Sequence, residues 1–77
     1  MAWFGKSAEG LSARGNAYLM KGQIDRAIAD YSEAIRLNPN DADAYFYRSL
    51  DRKRKGDNAG AEADMAAAKR INPNIGE

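Results

Sequence analysis

The sequence contains no cysteine and no histidine. Without cysteine there is no disulfide framework, although this leaves the redox compartment undetermined. Without either residue, the usual zinc sites and the Ser-His or Cys-His nucleophilic sites cannot be built. These absences exclude the most familiar classes of metal site and of covalent catalysis.

The sequence also lacks a large excess of charge and a long apolar run. Twelve Lys and Arg residues oppose 11 Asp and Glu residues, and the net charge of +1 predicts no global attraction to nucleic acid or membrane. No apolar stretch approaches the roughly 20 residues that span a bilayer, so no membrane partner is expected. No motif in the sequence indicates a cellular compartment.

What the sequence does contain is an internal repeat. Residues 8–41 and 42–75 are two copies of one 34-residue unit, with 12 identical pairs when they are aligned. Self-similarity at a fixed short period is typical of stacked repeats, in which one unit cannot bury its apolar face alone. We therefore divide the chain into an N-terminal extension (1–7), the two units and a C-terminal tail (76–77).

Each unit is predicted to form two helices. In the first unit, a helix begins after Ser7, a good N-cap, and ends at Gly22. A second helix has Asp25 as its predicted cap and ends at Asn38, before a proline. The apolar side of this second helix consists of residues at helical spacing: Ile24, Ala27, Ile28, Tyr31, Ala34, Ile35 and Leu37.

The second unit repeats this plan. A helix over about 42–55 is capped by Asp41 and ends at Gly56-Asp57, and a last helix covers about 59–71. Four helices of about 13 residues with short connections predict an all-α fold of two antiparallel hairpins.

At these residues the chain resembles the tetratricopeptide repeat family. The family pattern is a large aromatic, a Leu-Gly pair, a Tyr, then Ala-x3-Phe and a final Pro. The first unit has Leu11-x2-Arg14-Gly15-x2-Tyr18, Ala27-x3-Tyr31 and Pro39. The second has Tyr45-x2-Arg48-Ser49-x2-Arg52, Ala61-x3-Met65 and Pro73. The resemblance covers residues 8–75 and implies an α-solenoid that acts as a protein-binding scaffold.

The second copy departs from the first in its packing residues. Ser49 replaces a close-packing glycine, and Arg52 stands where the first copy has Tyr18. An atypical copy is expected at the end of a stack, where one face meets water. Arg48 has an equivalent arginine in the first copy, and we expect its stem to pack and its head group to reach solvent.

The resemblance also implies a concave groove, lined by the first helix of each unit, that holds a peptide segment. The residues predicted to line it are Glu9, Ser12, Asn16, Leu19 and Met20 in the first unit and Asp43, Phe46, Leu50, Lys53 and Arg54 in the second. Apolar residues outside the core stripe, such as Phe46 and Leu50, are what a peptide groove needs. The alternative is that these are scattered surface residues.

A second hypothesis is an electrostatic adaptor for an acidic protein or nucleic acid. Its residues would be the basic run Arg48, Arg52, Lys53, Arg54 and Lys55. Arginine can bind anions through two parallel hydrogen bonds. However, the run winds around the helix and is not interleaved with aromatic side chains, so nucleic acid is not the expected partner, and an ordinary solvated face remains the alternative.

A third hypothesis is self-association. Stacked repeats of this kind usually need at least three copies, and this chain has two. Either Trp3, Phe4 and the alanine-rich last helix cover the exposed ends, or two chains associate by end-to-end stacking or by a domain swap through Asn38–Asp41. The chain could then be a self-assembling fragment, natural or engineered, with no ligand of its own.

No enzyme or cofactor site is predicted. The carboxylates considered are placed at helix caps or on polar helix faces: Asp25, Asp30, Glu33, Asp41 and Asp64. No pair of them is expected to share a cleft, as general acid and base catalysis requires. The glycines are at packing or turn positions and form no phosphate-binding loop.

Overall fold

The computed structural model describes residues 23–76 of the chain. In this part the chain forms three helices, α1 (Ile24–Leu37), α2 (Ala42–Arg54) and α3 (Asn58–Ile71), with no strand. α1 packs on α2, and α2 packs on α3. The all-helical class is therefore confirmed. The predicted helix after Ser7 lies outside the described residues, so the number of four helices remains a prediction.

The predicted cap of α1 is wrong. The helix begins two residues earlier than predicted, with Gln23 at the cap position in place of Asp25 and no side-chain hydrogen bond there. Asp25 lies in the first turn of the helix instead. Its carboxylate is still well placed, because the N-terminal end of a helix carries a partial positive charge that favours an acidic residue.

The caps of α2 and α3 follow one chemistry. Asp41 accepts a hydrogen bond through Oδ1 from the backbone N–H of Ala44 at 3.1 Å, as predicted. Asp57 does the same for the N–H of Gly60 at 2.9 Å. Each bond satisfies one of the backbone donors that the first turn of a helix leaves without a partner. Gly56 precedes Asp57 with a φ of +90°, a backbone conformation that glycine adopts readily.

The turns that end α1 and α3 are structural copies of each other. Asn38 has φ −141° and ψ 92°, and Asn72 has φ −134° and ψ 95°. Each side chain accepts a hydrogen bond through Oδ1 from the backbone N–H two residues later, at 3.2 Å in both turns. The sequence repeat around Pro39 and Pro73 is thus also a repeat of backbone geometry.

The contact between α1 and α2 is built from small residues around one large ring. Ala27, Ala34 and Ala44 are fully buried, and Tyr31 fills the space that they leave. Tyr31 stacks on Tyr47 of α2 with 5.8 Å between ring centroids and 21° between planes. Small residues allow the two backbones to approach closely.

One residue of the predicted apolar stripe does not join this core. Leu37 is 42% exposed, because it lies at the last position of α1, where the chain turns away toward α2. The prediction that Leu37 belongs to the packed side of the helix is therefore wrong.

The contact between α2 and α3 uses alanine in place of aromatic rings. Ala61, Ala67 and Ala68 are buried on α3. Ser49 is buried as well and donates a hydrogen bond from Oγ to the backbone carbonyl of Ala61 at 2.8 Å. Serine at this position therefore keeps the side chain small and adds a polar tie between the helices. None of the helices in residues 23–76 has the length and hydropathy that a membrane span requires.

Candidate functional site

Half of the predicted groove can be examined in the structure. Glu9, Ser12, Asn16, Leu19 and Met20 lie outside the described residues. The other five residues lie on α2, where Asp43, Lys53 and Arg54 are exposed and Phe46 and Leu50 are half-buried. The two apolar side chains are therefore neither part of the closed core nor fully open to water.

Leu50 and Lys53 line a cleft of about 420 Å³, which we call the α2–α3 cleft. The rest of its lining is Ser49 on α2 with Asn58, Ala61, Glu62 and Met65 on α3. Leu50, Ala61 and Met65 supply its apolar surface, whereas Lys53 and Glu62 place opposite charges on the two helices. The bond from Ser49 to Ala61 fixes the spacing of the two walls.

Phe46 does not line this cleft and instead contacts the turn that follows α3. A side chain placed on Gly76 would lie only 3.3 Å from Cε1 of the Phe46 ring. Gly76 also has a φ of +84°, and its neighbour Ile75 is buried. The structure thus separates two residues that the sequence placed together, since Leu50 faces the α2–α3 cleft and Phe46 lies under the C-terminal turn.

Two cations of the basic run are bound to one acid. Arg48 donates to Asp64 from Nε at 2.8 Å and from Nη2 at 2.7 Å, which is the bidentate geometry of a strong ion pair. Arg52 donates to the same carboxylate from Nη1 at 3.0 Å. We call these three residues the Asp64 cluster. Asp64 is 3% exposed, so these charges are directed into the protein rather than toward a partner.

The Asp64 cluster also reaches α1. Arg48 donates from Nη1 to the hydroxyl of Ser32 at 3.1 Å, and its guanidinium lies 5.5 Å from the centroid of the Tyr45 ring. The expectation that the head group of Arg48 reaches solvent is wrong, because the side chain is only 14% exposed. Arg48 therefore donates hydrogen bonds from α2 to acceptors on both α1 and α3.

The rest of the basic run is exposed. Lys55 forms an ion pair with Asp25 of α1, and Arg54 lies 4.0 Å from a carboxylate oxygen of Asp51 on its own helix. Lys53 is exposed at the edge of the α2–α3 cleft. The basic patch thus consists, at the surface, of Lys53, Arg54 and Lys55.

Asp51 lies within the basic run in the sequence, but it is fully buried. It is 0% exposed, and neither of its carboxylate oxygens has a hydrogen-bond partner. Burial raises the pKa of Asp51, and the nearby Arg54 offsets part of this effect. Burial also raises the pKa of the Tyr31 hydroxyl, with further contributions from Asp51, Tyr47 and Asp30.

Sequence reasoning missed these buried acids because it assigned carboxylates to caps and polar faces. A signal for the Asp64 cluster was available in the repeat, since Arg14 and Asp30 stand 34 residues before Arg48 and Asp64. Charged residues repeated at both positions of a pair indicate a shared structural role. A signal for Asp51 was the alanine at position 17 of the other copy, since a small apolar residue there is typical of a packed position.

The arrangement of the described residues offers binding surfaces rather than reacting groups. Among residues 23–76 there is no group of three or more His, Cys, Asp or Glu side chains that could hold a metal ion. Asp64 is occupied by two arginines, and Asp51 is closed off from solvent. The accessible features of the described residues include the α2–α3 cleft and the exposed cations of the basic run. They also include a second cleft of about 530 Å³, lined by Gln23, Ile24, Asp25, Arg26 and Lys55.

Comparison with protein families supports the repeat. Residues 15–50 match the family model described as a TPR repeat. This range contains all of α1 and most of α2, together with the last part of the helix predicted to begin after Ser7. The resemblance read from the repeat is therefore confirmed over these residues.

Proposed function

We propose, with a tetratricopeptide repeat at residues 15–50 as the premise, that this chain is a non-catalytic interaction module that presents a helical groove to a peptide segment. Repeats of this kind are typical of protein–protein interaction. The complete unit in this proposal has four helices in two hairpins. In the described residues, α2, the first helix of the second unit, and α3, its second helix, form the peptide side together. The chain would order its ligand and change little itself, as preformed sites do.

The observation that carries this proposal is the α2–α3 cleft. Its volume of about 420 Å³ is within the range of roughly 300–1,000 Å³ that is common for ligand pockets. Leu50 and Met65 are half-buried there, so each keeps apolar surface that a ligand side chain could cover. Burial of such a side chain is worth roughly 1.5–3 kcal/mol, which is enough to anchor a short peptide.

The charges at the cleft favour a peptide of mixed polarity. Lys53 on α2 and Glu62 on α3 lie on opposite sides of the apolar surface. A bound segment would place a large apolar residue between them, with an acidic residue toward Lys53 and a basic residue toward Glu62. Charge complementarity of this kind sets the orientation of the ligand more than its affinity.

The electrostatic adaptor is the weaker alternative. Two of its five predicted cations, Arg48 and Arg52, are paired with Asp64, which reduces the charge available to an acidic partner. Lys55 is paired with Asp25 as well. Self-association remains a prediction, and the mass of the protein in solution across a dilution series is the measurement that tests it.

The peptide hypothesis can be tested without a known ligand. Random 12-residue peptides displayed on phage are selected on the full chain, and the enriched peptides are synthesised for affinity measurements on the wild type, Leu50→Ser and Leu37→Ser. Leu37 is the matched control, because it is an exposed leucine on α1, outside the cleft. We expect Leu50→Ser to weaken binding at least tenfold and Leu37→Ser to change it less than twofold.

Salt separates the two hypotheses in the same experiment. Binding through the apolar cleft should change little between about 50 and 200 mM salt, whereas contacts to phosphates of nucleic acid would weaken steeply. Equal affinity for the wild type and Leu50→Ser, with circular dichroism showing both to be folded, would contradict the proposal.

A further inference from the structure

The buried carboxyl of Asp51 is the feature of the described residues that the proposed function leaves unused. The side chain is 0% exposed, and both of its oxygens lack a hydrogen-bond partner. An ionised carboxylate in such a place loses its hydration without regaining it from the protein. A neutral carboxylic acid is much less costly to bury, and the physical question is therefore which form the folded chain holds.

Among the described residues, the charged and titratable groups around Asp51 give the ionised form little stabilisation. From α1, Tyr31 is close enough to Asp51 for the charge of this carboxylate to raise the pKa of the Tyr31 hydroxyl. From α2, Tyr47 contributes to the same effect. Within residues 23–76, Arg54 is the cation that attracts Asp51. It lies 4.0 Å from Oδ1, and its side chain is 55% exposed, so water screens much of its attraction.

The remaining cations of α2 near Asp51 are directed elsewhere. Arg48 and Arg52 both bind Asp64, which is the acid that α3 contributes to this region. Among the described residues, Asp51 therefore has the Tyr31 ring near it and no cation within hydrogen-bond reach.

We propose that Asp51 is a pH-sensitive element of the fold: its neutral acid form packs at the contact of α1 and α2 in the folded chain, and its ionisation weakens that contact. Since α1 belongs to the first repeat unit and α2 to the second, acid strengthens the joint between the two units. This pH dependence requires no ligand, so it can be tested separately from the proposal of a peptide groove.

The pKa of Asp51 agrees with the geometry. Burial raises it, and Arg54 lowers it by a smaller amount, so that the pKa in the folded chain lies above that in the unfolded chain. For a group of this kind the stabilising contribution is fully present below the unfolded pKa and is lost as the pH rises through the folded pKa. The sign is opposite to that of an acid whose ionised form an ion pair stabilises.

The test compares the urea midpoint of the full chain between pH 3.5 and pH 8 in four proteins: wild type, Asp51→Asn, Asp51→Ala and Asp43→Asn. Asparagine mimics the neutral acid, and alanine is the residue at the equivalent position 17 of the first copy. Asp43→Asn is the matched control, because Asp43 is an exposed acid on the same helix. Protonation of other acids affects all four proteins alike and cancels when their midpoints are subtracted.

We expect the midpoint of the wild type to fall, relative to both Asp51 variants, as the pH rises from acidic to neutral. The control should stay parallel to the wild type. In a ¹³C spectrum of the wild type, the carboxyl of Asp51 should titrate at higher pH in the folded chain than in the chain unfolded by urea. Parallel midpoints for wild type and Asp51→Asn across the whole pH range, or a carboxyl of Asp51 that titrates at the same pH in both states, would overturn the proposal.

Discussion

Removing the carboxylate of Asp64 should destabilise the protein more than removing the carboxylate of any other single acid in the described residues. Asp64→Ala deletes the acceptor of three hydrogen bonds, two from Arg48 and one from Arg52. Both arginines then keep their charges near the protein interior, with side chains only 14% and 30% exposed. The protein thus loses stability in two ways: the ion pairs are lost, and two partly buried cations are left without a partner.

The size of the effect follows from this burial. Breaking a buried pair by removing one partner typically costs about 3–5 kcal/mol. At roughly 0.05–0.15 kcal/mol per residue, a chain of this length has a free energy of unfolding of about 4–12 kcal/mol. We therefore expect about 3 kcal/mol of destabilisation, toward the lower limit because Arg52 can turn its head group toward water.

Urea unfolding followed by helical circular dichroism measures this loss. The matched control is Glu62→Ala, which removes an exposed acid two residues away on the same helix and should change stability by less than about 0.5 kcal/mol. Replacing Arg48 and Asp64 together with apolar residues of similar size should recover much of the stability, because only Arg52, which is 30% exposed and can turn toward water, then loses its partner.

If Asp64→Ala costs no more than Glu62→Ala, the buried ion pairs do not stabilise the contact between α2 and α3 and the reasoning is refuted. A double variant as unstable as Asp64→Ala alone would instead show that the ion pairs matter through their shape rather than through their charge.

Two further variants test local features. Asp57→Ala removes the cap of α3 and should reduce the free energy of unfolding by about 1 kcal/mol. Asp25→Ala removes no cap and should reduce it by less in the same urea experiment. Equal reductions would show that the cap hydrogen bond does not stabilise α3. Tyr31 has a raised pKa, so its contribution is fully present below the unfolded pKa and is lost as the pH rises through the folded value. Tyr31→Phe should therefore reduce the loss of stability at alkaline pH, and an unchanged alkaline profile would count against the buried hydroxyl.

The sequence predicted the helical boundaries well because turn chemistry is local. Asn38, Gly56 and Asn72 end or separate helices where the sequence placed the breaks, and Asp41 caps α2 as expected. Asp25 failed as a cap because the same residue type is also favoured in the first turn of a helix, and only the backbone decides between the two positions.

The candidate site could be predicted only in part, because its parts come from different helices. Leu50 was identified from its spacing on α2, but Met65 and Glu62 join it from α3, and no pattern within one helix reveals that pairing. The burial of Arg48 with Asp64 depends likewise on how α2 and α3 pack, and a sequence scan treats such residues as solvated by default.

The turn that ends α3 has a consequence for extending the chain by design. The backbone follows the same path at Asn38 and at Asn72. The first turn leads to Asp41, which caps the next helix. The second turn leads to a buried Ile75 and then to Gly76 in a left-handed conformation. A third helical hairpin fused behind this turn, with Ile75→Asp to supply the missing cap, should leave α3 in the direction in which α2 leaves α1. The turn after α3 would thus allow further repeat units to be added to the chain.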